Sequence, residues 1–398
     1  MRRSFATLGR LLLLFVQLQV LDLAAQVSAR FPFEVSETVG IRRRSDVIST
    51  RLLFERPLPS TTGFRLEDES ESIPCQLRPA GETTDGISAL DIDFVGHFQP
   101  FETRRYQIVA GVGLEGSEEP QNGLRIEESS NEFRIKNRDY LVWTIRKDLK
   151  GLFRFLRLPN VEYVVEDSGG LGFRKGDGAI HLLSNSKPTR ARILREGALA
   201  CALEFDYENW PGDGSSRVVL EFPRTKSWVH VTWTIRGMSR ISELVAELQL
   251  SLKGEEKLVD FGSGDFVYNT VRTDQVAVME ARPEGSPRWS VLHGLRGDLK
   301  PLVVAPENVL LAGLGGWVHL MDETRCTALA VAQFGLAGED RIEVDGTGLL
   351  RITRRPKADQ IALEFWVHFV SMPVHIGART SPQSMQSPLS VRWLPRVN

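Results

Sequence analysis

One stretch constrains the fold more than any other: Lys226-Ser227-Trp228-Val229-His230-Val231-Thr232-Trp233-Thr234-Ile235. It holds no Gly or Pro and is dominated by β-branched and aromatic side chains, a composition that specifies a strand. At a period of two, Val229, Val231, Trp233 and Ile235 share one face, a core face. Trp228, His230, Thr232 and Thr234 share the other, which sets an indole beside an imidazole and two hydroxyls. The tripeptide Trp-Val-His returns at Trp317-Val318-His319 and at Trp366-Val367-His368.

The rest of the chain follows the same grammar. Short apolar or alternating runs, such as Val47 to Phe54, Leu90 to Phe94, Tyr140 to Ile145, Ala200 to Phe205 and Val218 to Phe222, are separated by turn residues. With 34 Gly and 20 Pro scattered along 398 residues, punctuation of this kind fits many strands and few helices. The fold class is all-β: a small N-terminal β-domain over 30–112, a polar Gly/Glu/Pro linker over 113–122, and a large two-sheet antiparallel supersandwich over 123–398. Residues 241–252 fit two periods. Ile241, Leu244, Val245, Leu248 and Leu252 make a helical stripe, while Leu244, Ala246, Leu248, Leu250 and Leu252 alternate. The surrounding strands favour the second. Residues 281–301, with Pro283, Gly285, Pro287, Gly294, Gly297 and Pro301, read as a long loop, and 371–390 as a Ser/Pro-rich crossing before a last strand at 389–393.

Residues 1–29 have the form of an export signal. Arg2, Arg3 and Arg10 precede the apolar run Leu11 to Val16, and Val27-Ser28-Ala29 offers small residues for cleavage. The run is well short of the roughly 20 residues that span a bilayer, so the mature chain is expected to have no membrane span and to be secreted or periplasmic in a bacterium. The 49 Lys and Arg nearly balance the 51 Asp and Glu, which gives no basic field for nucleic acid. Cys75, Cys201 and Cys326 are odd in number and far apart, unsuited to a disulfide framework or a zinc site. No cofactor or metal is expected: phosphate loops, nucleophile elbows and zinc helix motifs do not occur.

Several patches resemble known carbohydrate-active proteins. Gly63 to Asp68, Ile73-Pro74-Cys75-Gln76 and Phe101 to Tyr106 resemble the small β-domain found in some of them. Phe133 to Asn137, Lys150 to Phe153, Arg195 to Ala198 and the Trp228 strand are similar to the large sandwich of the galactose-mutarotase-like superfamily. That superfamily includes the C-terminal β-region of family-38 α-mannosidases and the β-domains of polysaccharide lyases such as exo-rhamnogalacturonan lyases. Asp345 to Ile352 looks like the late strands of those lyases. The resemblance implies a mutarotase-like sandwich and a polysaccharide or oligosaccharide partner. The chain departs from it by having no room for the α-mannosidase catalytic domain or the lyases' α/α toroid, so no catalytic residue carries over.

Two constellations are candidates for chemistry. Trp228, Trp317, Trp366 and Trp210 suit stacking on sugar C–H faces, with His319 and His368 among the polar groups that fix hydroxyls. The other reading of these aromatics is ordinary core packing. Within Phe261 to Arg272, glycines flank Ser263, and Tyr268, Asn269 and Arg272 follow. A lyase needs a group to neutralise a uronate carboxylate, here Arg272 and Asn269, and a base, here Tyr268 or His230. Three functions are open: β-elimination on an acidic glycan, non-catalytic carbohydrate binding or envelope scaffolding, and edge-to-edge assembly with a partner.

Overall fold

The computed structural model describes residues 29–395 except 70, 84–85, 119, 122, 138–140, 159–160, 176–177, 209–213, 238–240, 264, 285–288, 305–314, 358–360 and 374–379. Residues 1–28 of the expected export signal and Trp210 lie outside the described residues, while Ala29, the last residue of that expected signal, begins a strand. Every pairing between the described strands is antiparallel, and the strands form five sheets.

A smaller N-terminal region contains two of them. One has the order Ser390–Trp393, Ala29–Ser36, Thr103–Val112, Thr62–Asp68, Glu71–Ser72, and the other Arg43–Leu58, Gly86–Phe98, Cys75–Thr83. Alternation along these strands sends Phe33, Leu66, Phe94, Tyr106 and Ile108 into a shared core. The rings of Phe94 and Tyr106 meet edge-on at 4.9 Å. The last strand, read from sequence as part of the large unit, instead pairs with Ala29–Ser36, so the C-terminal segment closes the first sheet. Residues of the expected linker run along this region: Leu66 N–H donates to Ser117 Oγ at 3.0 Å, and Cys75 N–H to the Glu118 carbonyl at 3.2 Å.

The larger region has a nine-stranded, an eight-stranded and a five-stranded sheet, which bury their apolar faces in one core. Ile241–Gln249 is a strand, held between Gly170–Lys175 and Leu349–Pro356. The expected loop at 281–301 is largely a hairpin. Trp289–Leu295 and Asp298–Val304 are joined by a two-residue turn, Arg296-Gly297, with Gly297 at φ +96°. Pro301 is tolerated there because Asp298–Val304 is the sheet's edge strand. The crossing after residue 371 holds a short α-helix, Thr380–Gln386. Among the described residues no helix is long and apolar enough to cross a membrane. Cys75, Cys201 and Cys326 are buried free thiols.

Candidate functional site

The nine-stranded sheet explains the repeated tripeptide. Trp228–Arg236 pairs with Ile361–Val370, which pairs with Cys326–Val331, which pairs with Trp317–Met321. In this register Trp228 faces His368, Val229 faces Val367 and His230 faces Trp366. The middle strand places Ala328 between His368 and His319, and Ala330 between Trp366 and Trp317. Cross-strand partners share a face, so all three Trp/His pairs lie on one side of the sheet and Val229, Val318, Leu329 and Val367 on the other. Those four are fully buried in the main core.

The Trp/His face is only partly open. The helix Thr380–Gln386 packs on its centre, where Met385 joins Trp317, Trp366, Ala328 and Ala330 in a second small core. Gln386 fixes the helix by donating to the carbonyls of Gly315 and Val331, at 2.7 and 2.9 Å. Trp317 lies against Gly262 on the neighbouring strand, where a Cβ would stand 1.7 Å from the indole. His319 is buried, its Nδ1 3.2 Å from Asp260 Oδ2. The His368 ring meets Trp228 edge-on at 5.7 Å. Burial, helped by the nearby charges of His319 and Lys226, pushes His368 down to about 3, so it is neutral. Trp317, His319 and Trp366 therefore pack rather than face solvent.

What remains open is a cleft of about 260 Å³ at the end of this face. Its floor is Glu221, His230, Glu364 and Trp366, with Trp228 alongside. Arg43 and Asp46 to Ser49 of the N-terminal region form one wall, and Ser384, Met385, Pro388 and Leu389 another. A register shift between Arg43 and Asp46, with Ser45 at φ +52°, bends that strand and turns both charged residues toward the cleft. Arg43 is buried and donates to the carbonyls of Ser384 and Ser387 at 3.1 and 2.5 Å, and to Glu37 at 3.3 Å. Glu37 also accepts from the backbone N–H groups of Val39, Gly40, Ile41 and Phe101. Burial opposes its charge, but these donors and Arg43 outweigh that and hold its carboxyl below the usual range. One buried carboxylate thus fixes the guanidinium that pins the helix end.

His230 occupies the centre of the floor. Its ring lies flat on Trp366, centroids 4.5 Å apart, with Nδ1 2.9 Å from Glu221 and Nε2 2.8 Å from Glu364. Desolvation disfavours its charge, yet the two carboxylates prevail and raise it to about 9. At neutral pH it is an imidazolium donating from both nitrogens. The hydrogen bond from His230 in turn holds Glu221 below its usual range. Arg195 donates to Glu221 at 3.1 Å and to Asp93 of the N-terminal region at 3.3 Å. Sequence reading chose His230 but neither glutamate, because Glu221 and Glu364 stand on separate strands and meet it only through register.

The second constellation lies elsewhere. Tyr268 and Arg272 are on Asp265–Arg272, five strands from Trp228–Arg236 in the sheet order, or about 24 Å at the usual strand spacing. Arg272 is exposed and paired with Glu256 at 3.0 Å. Asn269 alternates to the opposite face from Arg272 and accepts through Oδ1 from the N–H of Thr270. Tyr268 opposes Asp260 in the register, and its side chain is outside the described residues. The fold does not gather His230, Asn269 and Arg272 at one place. Among the described residues no group of His, Cys, Asp or Glu is arranged to hold a metal.

No protein-family model and no curated protein matches this sequence. Solved structures match in fold. An α-mannosidase from Enterococcus faecalis V583 superposes with a TM-score of 0.53 at 10% identity, over 94% of this chain and 48% of that one. A protein in the Glycosyl Hydrolase Family 38 from Enterococcus faecalis gives 0.50 at 10% identity, over 92% and 48%. This chain spans about half the length of each. It is an all-β protein of distant fold likeness to these carbohydrate-active enzymes.

Proposed function

We propose that this chain is an exported carbohydrate-binding protein with a mutarotase-like supersandwich, and that the cleft over His230 receives a glycan. The observation that carries the proposal is the floor itself: an imidazolium between two half-exposed carboxylates, stacked on the indole of Trp366, with Trp228 lining the cleft beside it. Sugar sites combine an aromatic surface with a few fixed polar groups, and the ion pairs hold these in place before ligand arrives. The fold likeness to α-mannosidases agrees with a glycan partner. β-Elimination on an acidic glycan draws no support from the geometry, since Arg272 is committed to Glu256 and distant from His230.

A second reading rests on the same imidazolium. A ligand that displaces Glu364 from Nε2 would meet that N–H, which can pass its proton to the ring oxygen of a reducing sugar while the freed Glu364 takes the proton of the anomeric hydroxyl, so that the C1–O5 bond breaks, a C1=O1 bond forms and the ring opens. Titration calorimetry against a glycan panel tests the first reading. Binding is expected in the native protein, lost in His230→Ala, weakened in Trp228→Ala and unchanged in Arg272→Ala. Absence of binding across the panel, or a requirement for Arg272 but not His230, refutes the proposal. Following each bound sugar by NMR separates turnover from simple binding.

A further inference from the structure

The charges around the cleft say which glycans it admits. Each cation in its lining is already matched. Arg43 faces Glu37 at 3.3 Å and Asp46 at 3.6 Å, and its terminal nitrogens donate to two carbonyls. Arg195 is shared by Asp93 and Glu221, and His230 by Glu221 and Glu364. Lys226, just behind Trp228, is held by Asp46 at 2.5 Å and by the Arg44 carbonyl at 2.9 Å. The Nε atoms of Arg43 and Arg195 have no partner but are buried beyond a ligand's reach.

The acceptors differ. Glu221 uses one oxygen on Arg195 and the other on His230. Glu364 meets His230 through Oε1 alone, and among the described residues no hydrogen bond reaches its Oε2. Its side chain is 42% exposed, the highest of the three ionised groups on the floor. The cleft therefore presents a spare anionic acceptor and no spare cation.

Building on the carbohydrate-binding reading, we propose that Glu364 is the specificity-determining residue of the cleft: its free oxygen accepts a hydrogen bond from a hydroxyl of an uncharged sugar and repels sugars bearing a carboxylate. A uronate at this place would stand against the outward oxygen of Glu364, in a partly dry site where the lining cations are already paired and like charges interact more strongly than in bulk water. A neutral sugar supplies the hydroxyl donor the carboxylate needs, and a charge-assisted hydrogen bond forms.

The test uses the full chain, its Glu364→Gln and Glu364→Ser variants, and two matched pairs of trisaccharides, ending in galactose or galacturonate and in glucose or glucuronate. Circular dichroism and the thermal midpoint verify folding of each variant. The native protein is expected to bind the neutral member of at least one pair about tenfold more tightly, a discrimination of the size one like-charge contact in a partly exposed site supplies. Glu364→Gln, which keeps the shape and removes the charge, is expected to narrow the gap to about twofold, and Glu364→Ser to do the same with weaker binding overall. Equal or tighter uronate binding by the native protein overturns the inference and leaves the carbohydrate reading standing. So does discrimination that both variants retain. Binding of none of the four sugars overturns the inference, and absence of binding across the whole glycan panel overturns the carbohydrate reading with it.

Discussion

The imidazole of His230 lies parallel to the indole of Trp366, 4.5 Å between ring centres and 7° between planes, although 135 residues of chain lie between them. Strand pairing makes the contact, for the two residues are directly opposed on neighbouring antiparallel strands. The same register brings Glu364 to one ring nitrogen while Glu221 reaches the other from the opposite neighbour. A cation built this way has consequences for stability as well as for binding.

The first is pH dependence. His230 titrates at about 9 in the folded protein because Glu221 and Glu364 outweigh the cost of burial, against an ordinary value of 6.5. A group whose folded pKa is raised contributes stability that is complete below the unfolded value and lost as pH climbs through the folded one. Urea unfolding is expected to show a decline from about pH 6.5 to 9 worth at most roughly 3 kcal/mol. His230→Gln should flatten this limb. On the acid side the depressed Glu221 works in reverse, with its contribution lost as pH falls below the usual carboxylate range.

Arg43 pins the helix Thr380–Gln386 through the carbonyls of Ser384 and Ser387 while neutralising the buried Glu37. Arg43→Met is expected to cost about 3–5 kcal/mol, the usual effect of leaving one member of a buried pair unmatched. Limited proteolysis should then cut near residues 380–390 faster than in the native protein. Pairing Arg43→Met with Glu37→Gln should recover part of the stability but not the protease resistance, because the helix still lacks its anchor.

Gly262 lies under Trp317, and even a methyl group there would overlap the indole. Gly262→Ala is expected to push Trp317 toward Met385 and to destabilise by about 1–3 kcal/mol, as overpacking does. Chemical denaturation gives the cost, and a change in native-state tryptophan fluorescence reports the moved ring.

The strand Ser390–Trp393 covers the edge strand Ala29–Ser36, and Trp393 packs on Phe33 at 4.6 Å. Truncation after Leu389 is expected to lower the thermal midpoint and promote self-association by light scattering, since it exposes a row of unpaired backbone groups. Trp393→Ala keeps the backbone pairing, so it should lower the midpoint with little self-association.

Local pattern made much of the architecture legible. Alternation over 228–235 was enough to separate the core face from the Trp/His face, and Val229, Val231, Trp233 and Ile235 are all fully buried. The strand at Ile241–Gln249 could be preferred over a helix from its neighbours. The hairpin at Trp289–Val304 escaped notice because its Gly and Pro mark a tight turn and an edge strand rather than a loop. The covering helix escaped because seven residues, Pro, Thr and two Ser among them, are too few and too weak in helix propensity to signal one, and the packing of Met385 on the sheet stabilises them instead.

By itself the sequence determined that this chain forms strands, which side of each is apolar, and that the Trp and His of each Trp-Val-His tripeptide share a face. Those follow from side-chain chemistry at a spacing of two, a property of each strand alone. Tertiary structure decided which carboxylates reach His230, which tryptophans a short helix covers, and where a cleft remains. These depend on register between strands far apart in the chain, and register is fixed by the packing of the whole core rather than by any one segment.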